Sequence, residues 1–532
     1  MSFLTRSDSK SDTDKMEEKH VEDSSFVEEG HTAVAKAPDG GLNVRQALSV
    51  WRKGVAWSVV LSLAVMMESY NTILLNSLYA APPFQQDYGV RLKSGKYQIP
   101  AKWQSALGSG TVAATILGVL LAAPLIDRFG YRKVMIGGLV WAFGFSWLIF
   151  LSKDLAQLLA GNMCSALPWG AFIVCAVSYA VEVVPTSLRS YLSSYVNLCF
   201  VIGHVIGAGV LRASISYNND WTYKLPFLLI CIPPLPIALA LCWAPESPYW
   251  LARKGRLEDA AVAMDRLHAP HADIDSKALV AHIHETYRVE QEMRTGGSFV
   301  DLFKGSNLRR TELATIAWTS PGLVGYVVQF YQTFFFTRAG FPTDKAFALG
   351  LGSYAIAFVG GVVSWFLQAR LGRRTIILFG LSAMLPIMLL VGSLDFVKSQ
   401  SGHWAQAILF LVWFFFYGST QGPIPYAVAS EIPAVKLRAK TLAIARSVYY
   451  TFFISSTVLS PYMLQTWDMK GKAAYPAAGF TAFLLVWTYF RLPETKNRSF
   501  EELDIMFGLR LPARKFSSYV VTEEDRRTVG HI

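Results

Sequence analysis

Twelve stretches of about twenty mostly apolar residues run through this chain, and their length limits what it can fold into. A helix rises ~1.5 Å per residue, so ~20 apolar residues cross a bilayer core of ~30 Å. By that rule spans are expected near 55–79, 105–125, 133–152, 156–181, 191–212 and 224–243, then near 312–336, 345–368, 375–394, 404–429, 441–464 and 474–490. Lipid offers no partner to a backbone N–H or C=O, which leaves helix as the form for segments this long. The expected fold class is an all-α membrane protein of twelve transmembrane helices in two six-helix halves. Pro226, Pro233, Pro234 and Pro236 interrupt the sixth span.

The remaining segments set the domain plan. Residues 1–45 are polar and rich in Ser, Asp, Glu and Lys, and are expected to form a disordered cytosolic tail. No secretory leader is read there, so the first span serves as an uncleaved insertion signal. The halves are placed at 46–243 and 312–490, joined by a cytosolic linker (244–311) and followed by a cytosolic tail (491–532). LARKGRLEDAAVAMDRLH and SKALVAHIHETYRVEQEMR in the linker are charged and helix-periodic, and read as amphipathic helices. His268, His271, His282 and His284 have no compact ligand spacing, so no metal is expected.

Charge separates a bilayer protein from a nucleic-acid binder. Only 16% of residues are charged, against about 25% in soluble domains. The net charge of +11 comes from short clusters between apolar runs: DRFGYRK (127–133), SLR (187–189), RLGRR (370–374) and KLRAK (436–440). These loops share one side if the spans are right, which the positive-inside rule makes the cytosol. Both termini fall there too, in a multi-pass protein expected in the plasma membrane. Arg91, Lys93, Lys96 and Lys102 lie on the other side, in a longer loop where the rule is weaker. All five cysteines sit in apolar stretches with no disulfide frame. No nucleophile with a base, metal spacing or phosphate loop marks an enzyme, and no cofactor is expected.

Three patterns occur twice. DRFG (127–130) returns as ARLG (369–372), VEVVPTSLR (181–189) as SEIPAVKLR (430–438), and APESPYW (244–250) as LPETKNR (492–498). The offsets are 242, 249 and 248 residues, which indicates a duplicated half. Parallel halves with a site between them at mid-depth are a transporter architecture. Each repeat puts acids and arginines at the cytosolic helix ends, where an Arg fork fits a carboxylate. Asp127, Arg128, Arg132, Glu182, Arg189 and Glu246 in the first half, and Arg373, Arg374, Glu431, Arg438 and Glu494 in the second, are therefore expected in gate networks that close and open with the transport cycle.

DRFGYRK, E-x-x-P-x-x-x-R, PESPYWL and PETKNRSFEELD resemble the sugar porter family of the major facilitator superfamily, over residues 45–515. AKWQSAL (101–107), LPWGAF (167–172), SSYVNLCFVIGHVIGAG (193–209), RRTELATIAW (309–318), SWFL (364–367), LSPYML (459–464) and ARKFSSYVV (513–521) narrow this to the fungal maltose and general α-glucoside permeases. The resemblance implies the major facilitator fold, uptake of an oligosaccharide or hexose, frequent coupling to protons, and a site between the halves. Its partners would be a sugar, protons and the lipid bilayer.

A sugar site needs amides and hydroxyls to replace lost water and rings against C–H faces. Gln329, Tyr331 and Gln332 in the seventh span, Gln421 and Tyr426 in the tenth, and Tyr449 in the eleventh are the candidates, with Asn71 and Asn162. Two departures from the resembling permeases stand out. Their Gln-Asn pair after the seventh-span tryptophan is here Pro321-Gly322. Their proton-taking Asp of the first span is Asn71, its fourth-span Arg aligns with Asn162, and a second-span acid aligns with Thr115. Glu68 remains in MMESYNTILL, three residues from Asn71 on one helix face, and Arg446 remains in LAIARSVYY. Glu68 is open to three roles: proton site, substrate ligand, or static pair with Arg446. A transporter diverged to another metabolite, a uniporter and a sugar sensor are the rival readings; a tail this short speaks against the sensor.

Overall fold

The structure, a computed structural model, describes residues 44–522 and 525, except 94, 270–273, 295–298, 328, 330, 339, 398, 435–436, 497 and 499. The expected tail 1–45 therefore lies almost wholly outside the described residues, as does His271.

The first half holds α1 (Arg52–Leu78), α2 (Ala101–Phe129), α3 (Tyr131–Phe150), α4 (Leu155–Glu182), α5 (Thr186–Ser214) and α6 (Trp221–Leu241). The linker forms helices Pro248–Arg253, Leu257–Asp265 and Ser276–Arg294. In the second half α7 (Gly305–Val324), α8 (Thr343–Arg370), α9 (Arg373–Leu394), α10 (Gln400–Glu431), α11 (Arg438–Pro461) and α12 (Ala474–Arg491) follow. Eleven spans among the described residues are long and apolar enough to cross a bilayer. The seventh ends early at a break, so that every stretch of its 20 residues long enough to cross carries Arg309, Arg310 and Glu312.

That break corrects the expected continuous span at 312–336. Pro321 cannot donate to the carbonyl of Ala317, and the Ser320 hydroxyl does so instead at 3.0 Å. The helix stops at Val324, Val327 takes a φ of 75°, and a short helix resumes at Gln332–Arg338. The Val327 N–H finds Ser456 Oγ of α11 at 3.2 Å, so the irregular backbone is satisfied inside the protein. In α10 a π-helical turn, Tyr417–Gln421, precedes Pro423 and Pro425.

The two halves repeat one packing scheme. α1 packs on α5, α2 on α4 and α3 on α4; correspondingly α7 packs on α11, α8 on α10 and α9 on α10. Between the halves α2 meets α11 and α5 meets α8, the two contacts that a pseudo-twofold axis exchanges. Glycines set the closest approaches. A Cβ on Gly118 would lie 1.8 Å from Leu167 O, and one on Gly170 would lie 2.2 Å from Thr115 O. Gly360 and Gly418 do the same between α8 and α10, with clashes of 2.7 Å and 2.4 Å. They follow their counterparts by 242 and 248 residues, two of the offsets that separate the repeated motifs.

The apolar core is not symmetric along the membrane normal. One cluster fills the second half and takes in Leu74, Leu78 and Leu107 of the first, at the end away from the basic loops. The other, with Met135, Leu251 and Met264, stays within the first half and its linker helices. The halves thus share a core at one end only.

Candidate functional site

The far end is where side chains join the halves. Ser77 Oγ lies 3.3 Å from Thr333 Oγ1, and the Tyr79 and Tyr331 rings stack at 6.3 Å. Ser105 Oγ donates to Val458 O at 2.9 Å, and Gln465 Nε2 donates to Ile99 O at 2.8 Å. The side-chain hydrogen bonds between halves among the described residues all lie at this end. This geometry is closed away from the basic loops.

Toward mid-depth, Asn71 Nδ2 donates to Asn162 Oδ1 at 3.0 Å, and Asn162 Nδ2 to Leu158 O at 2.8 Å. The two positions aligned with an acid and an arginine in the resembling permeases hold a buried, neutral amide pair. Such a bond contributes only about 1 kcal/mol net. It avoids the larger cost of either charge buried alone. Thr115 turns back to its own helix, donating to Thr111 O at 3.0 Å.

Glu68 sits one turn nearer the basic end of α1. It is partly exposed between buried neighbours Met67 and Ser69, and Oε2 has no hydrogen-bond partner among the described residues. Tyr449 and Tyr450 of α11 lie within its electrostatic reach, so it faces the second half. Of the roles left open for Glu68, a direct pair with Arg446 is not made in this geometry: no ion pair within 4.0 Å joins them. Arg446 instead lies over the Trp318 ring at 5.1 Å, with Tyr426 and Tyr450 beside it. The indole face offers it cation–π attraction in place of a carboxylate. Tyr450 lies within electrostatic reach of both Glu68 and Arg446.

The polar candidates divide by depth. Tyr426 packs edge-on against Trp318 at 5.1 Å. Gln421 Oε1 lies 3.2 Å from Ser320 Oγ, which shares its one proton with Ala317 O, and its Nε2 is buried without a partner among the described residues. Gln329 leaves Oε1 without a partner and approaches Tyr417. Gln332 Nε2 donates to Gly350 O at 3.4 Å while its Oε1 is unpartnered. Tyr331 belongs to the closed far end. Tyr449 passes within 3.5 Å of where a Gly322 Cβ would be, so the loss of an amide side chain at 322 makes room for a ring. Trp318, Tyr450 and the His204–Tyr354 stack between α5 and α8 (4.9 Å) were not among the sequence candidates. Only the motif position of Trp318 offered a signal.

At the basic end the charged motifs form two matching networks. The Glu246 carboxylate accepts from the N–H groups of Tyr131, Arg132 and Ser247 at 3.0–3.2 Å. Glu494 accepts from those of Arg373, Arg374, Thr495 and Lys496 at 2.7–3.2 Å. Burial pushes the Glu246 carboxyl above its ordinary range against the pull of those N–H groups. A Cβ at Gly130 or Gly372 would strike these carboxylates at 2.4 Å and 2.1 Å. Glu182 accepts from Tyr131 Oη at 2.9 Å, from Ser247 Oγ, and from Arg253 Nη2 at 3.2 Å. Glu431 accepts from Thr495 Oγ1 at 2.6 Å and Arg373 Nη2 at 3.3 Å.

The structure corrects this group in detail. Arg253, absent from the candidates, is the base on Glu182. Arg132 serves Glu246 through its backbone and caps Cys242 O with its side chain; Arg374 likewise caps Tyr489 O at 2.8 Å. Arg128 lies over Phe129 at 5.4 Å, and Asp127 accepts from Trp250 Nε1 only through its backbone, so neither joins an ion pair among the described residues. Arg189 donates to Tyr249 Oη at 3.0 Å, and Arg438 opens α11. Neither described ion pair of the set joins the two halves: Glu182 is paired with the linker and Glu431 within the second half.

Residues 57–507 match the family described as sugar (and other) transporter. The general alpha-glucoside permease of Saccharomyces cerevisiae is 34% identical over 529 residues, covering 98% of this chain and 86% of the relative. Maltose permease MAL31 of the same yeast is 33% identical over 493 residues, covering 91% and 80%. Among solved structures, the xylose transporter XylE from E. coli, partially occluded and inward open, superposes with a TM-score of 0.69 at 17% identity, covering 84% of this chain and 100% of that one. The same fold as a proton:xylose symporter bound to 6-bromo-6-deoxy-D-glucose gives 0.66 at 18% identity, covering 86% and 99%.

Proposed function

The chain belongs to the sugar transporter family of the major facilitator superfamily, and from that premise we propose that it moves an α-glucoside of the maltose class into the cell together with a proton. The relatives named as α-glucoside and maltose permeases match almost its whole length, which supports the substrate class. The arrangement of polar atoms supports a polyol. Asn71 Oδ1, Gln329 Oε1, Gln332 Oε1 and Gln421 Nε2 are buried without protein partners among the described residues, and they come from both halves. An unmet buried donor or acceptor costs about 1–3 kcal/mol, and sugar hydroxyls can serve either kind. Trp318, Tyr426 and Tyr449 supply rings for the sugar's C–H faces.

The observation that carries the coupling is Glu68. It is a carboxylate at membrane depth, partly exposed toward the second half, with no ion-pair partner among the described residues. A static pair would have fixed its charge; without one, it can take a proton when the site opens to the acidic side and release it on the other. Arg446, held on Trp318 and not paired with the carboxylate, biases that release without locking it. The networks on Glu182 and Glu431 brace the basic end of each half and act as the gate. Closure at the far end with opening at the basic end is one limit of alternating access.

The Asn71–Asn162 bond favours a second reading, a uniporter. Both are tested in cells lacking their own sugar permeases, scored for growth on maltose, trehalose, sucrose and glucose, with Glu68→Gln beside the wild type. The symport reading expects Glu68→Gln to lose gradient-driven accumulation while substrate exchange continues. Full accumulation by that variant removes Glu68 from the coupling, and a wild type that only equilibrates its substrate leaves the uniporter.

A further inference from the structure

A cleft of about 470 Å³ opens at the basic end of the second half, apart from the transport path. Its volume lies in the range of small-molecule sites, roughly 300–1,000 Å³. Three chain segments meet there: the start of α9 with Arg374, the irregular segment after α12 with Lys496 and Arg498, and the terminal turn with Arg514. Glu494 is the acid of the lining, and its oxygens already accept four backbone N–H groups. The four cations are thus left with a surplus of charge.

Their placement deepens the imbalance. Arg374 and Arg514 both lie over the Tyr489 ring, at 5.9 Å and 4.4 Å, which holds two like charges on one aromatic. Arg374 Nε is buried without a partner among the described residues. Lys496 Nζ gives one bond, to Ala369 O at 2.9 Å, and has two N–H groups left. Arg498 is the anchor, donating to the carbonyls of Phe516 and Tyr519 and reaching Glu502 at 4.0 Å. Beside the cleft Tyr489, Phe490 and Phe366 are exposed at the helix ends, the level at which aromatic residues meet lipid headgroups.

We propose that this cleft binds a phosphomonoester, as carried by an anionic lipid headgroup of the adjoining leaflet. The group brings about two charges and three acceptor oxygens, and Arg and Lys donors from three segments satisfy it at once. Basic pockets at this depth are where phosphorylated headgroups bind. Occupancy ties the terminal turn to α9, next to the Arg373–Glu431 pair.

The test uses the full chain in phosphatidylcholine nanodiscs. Dioctanoyl phosphatidylinositol 4-phosphate, dioctanoyl phosphatidylinositol and soluble inositol 1,4-bisphosphate are titrated, with affinity and unfolding temperature read for each. The phosphorylated lipid should bind and raise the unfolding temperature, and phosphatidylinositol should bind at least about tenfold more weakly. Lys496→Gln/Arg514→Gln should lose about tenfold in affinity, and Lys496→Arg/Arg514→Lys should recover it. The single Arg514→Gln, at an exposed side chain, gives the same answer if the double variant does not fold. Equal binding of lipid and soluble headgroup supports the site with a soluble phosphate as occupant; lipid alone supports the leaflet as source. Binding that ignores the phosphomonoester, or that survives loss of both cations, overturns the proposal.

Discussion

Asn71 and Asn162 show how a buried charge pair can be given up at little cost. Each amide finds the other at 3.0 Å, so neither position strands a charge. Restoring one charge alone should therefore be the harmful step. Asn71→Asp and Asn162→Arg are each expected to lower the unfolding temperature of the purified protein. The double variant should lose less than their sum, with a coupling of about 0.5–3 kcal/mol. Additive losses would mean that the two sites do not address one another. The residue chemistry was partly legible in the sequence. The loss of the usual acid showed in Ser69-Tyr70-Asn71-Thr72, and Glu68 showed as an acid within an apolar run. The partner of Arg446 did not show. Acid and base read as complementary, whereas the fold sets Trp318 against the guanidinium, with Tyr450 in electrostatic reach of both charges.

At the scale of elements, the repeat seen in the motifs extends into helix packing. Gly118 and Gly170 allow α2 and α4 to touch backbone to backbone, and Gly360 and Gly418 do so for α8 and α10. Gly418→Val should cost at least about 1–3 kcal/mol, because backbone rather than a movable side chain stands in its way. Gly479, whose Cβ would meet nothing within 4 Å, is the control and should tolerate the same change. Thermal unfolding of both variants, read by fluorescence, checks this. These four positions carry no sign of their role in composition; only the offset of the halves picks them out. The broken α7 was half legible. Pro321-Gly322 announced a disruption, but the place of the break depends on Ser456 of α11 taking up the Val327 N–H, a tertiary fact. The linker arginine on Glu182 was missed because Arg253 stands in a linker helix, outside the loops where the repeat drew attention.

At the scale of the molecule, the two halves share a core, and the described side-chain hydrogen bonds between them, at one end only. Alternating access requires the far-end contacts to break in each cycle. Ser77 and Thr333 hold their hydroxyls 3.3 Å apart across the halves, close enough for a pair of cysteines to bond. Under oxidation Ser77→Cys/Thr333→Cys should stop transport, and reduction should restore it. The single variants serve as controls for the five native thiols, which are all free. Undiminished transport by the bonded protein would show that the far end need not open. Coupling belongs to this scale too, since a proton carried by one side chain acts only when the whole molecule turns over.

The most direct measurement is the external pH of lightly buffered cells expressing this chain and lacking other sugar permeases, recorded as maltose is added. A symporter relying on Glu68 gives a prompt alkaline shift with the wild type and none with Glu68→Gln, while Glu68→Gln still exchanges labelled maltose. Maltose uptake by the wild type with no pH change, or an equal shift with Glu68→Gln, would contradict it.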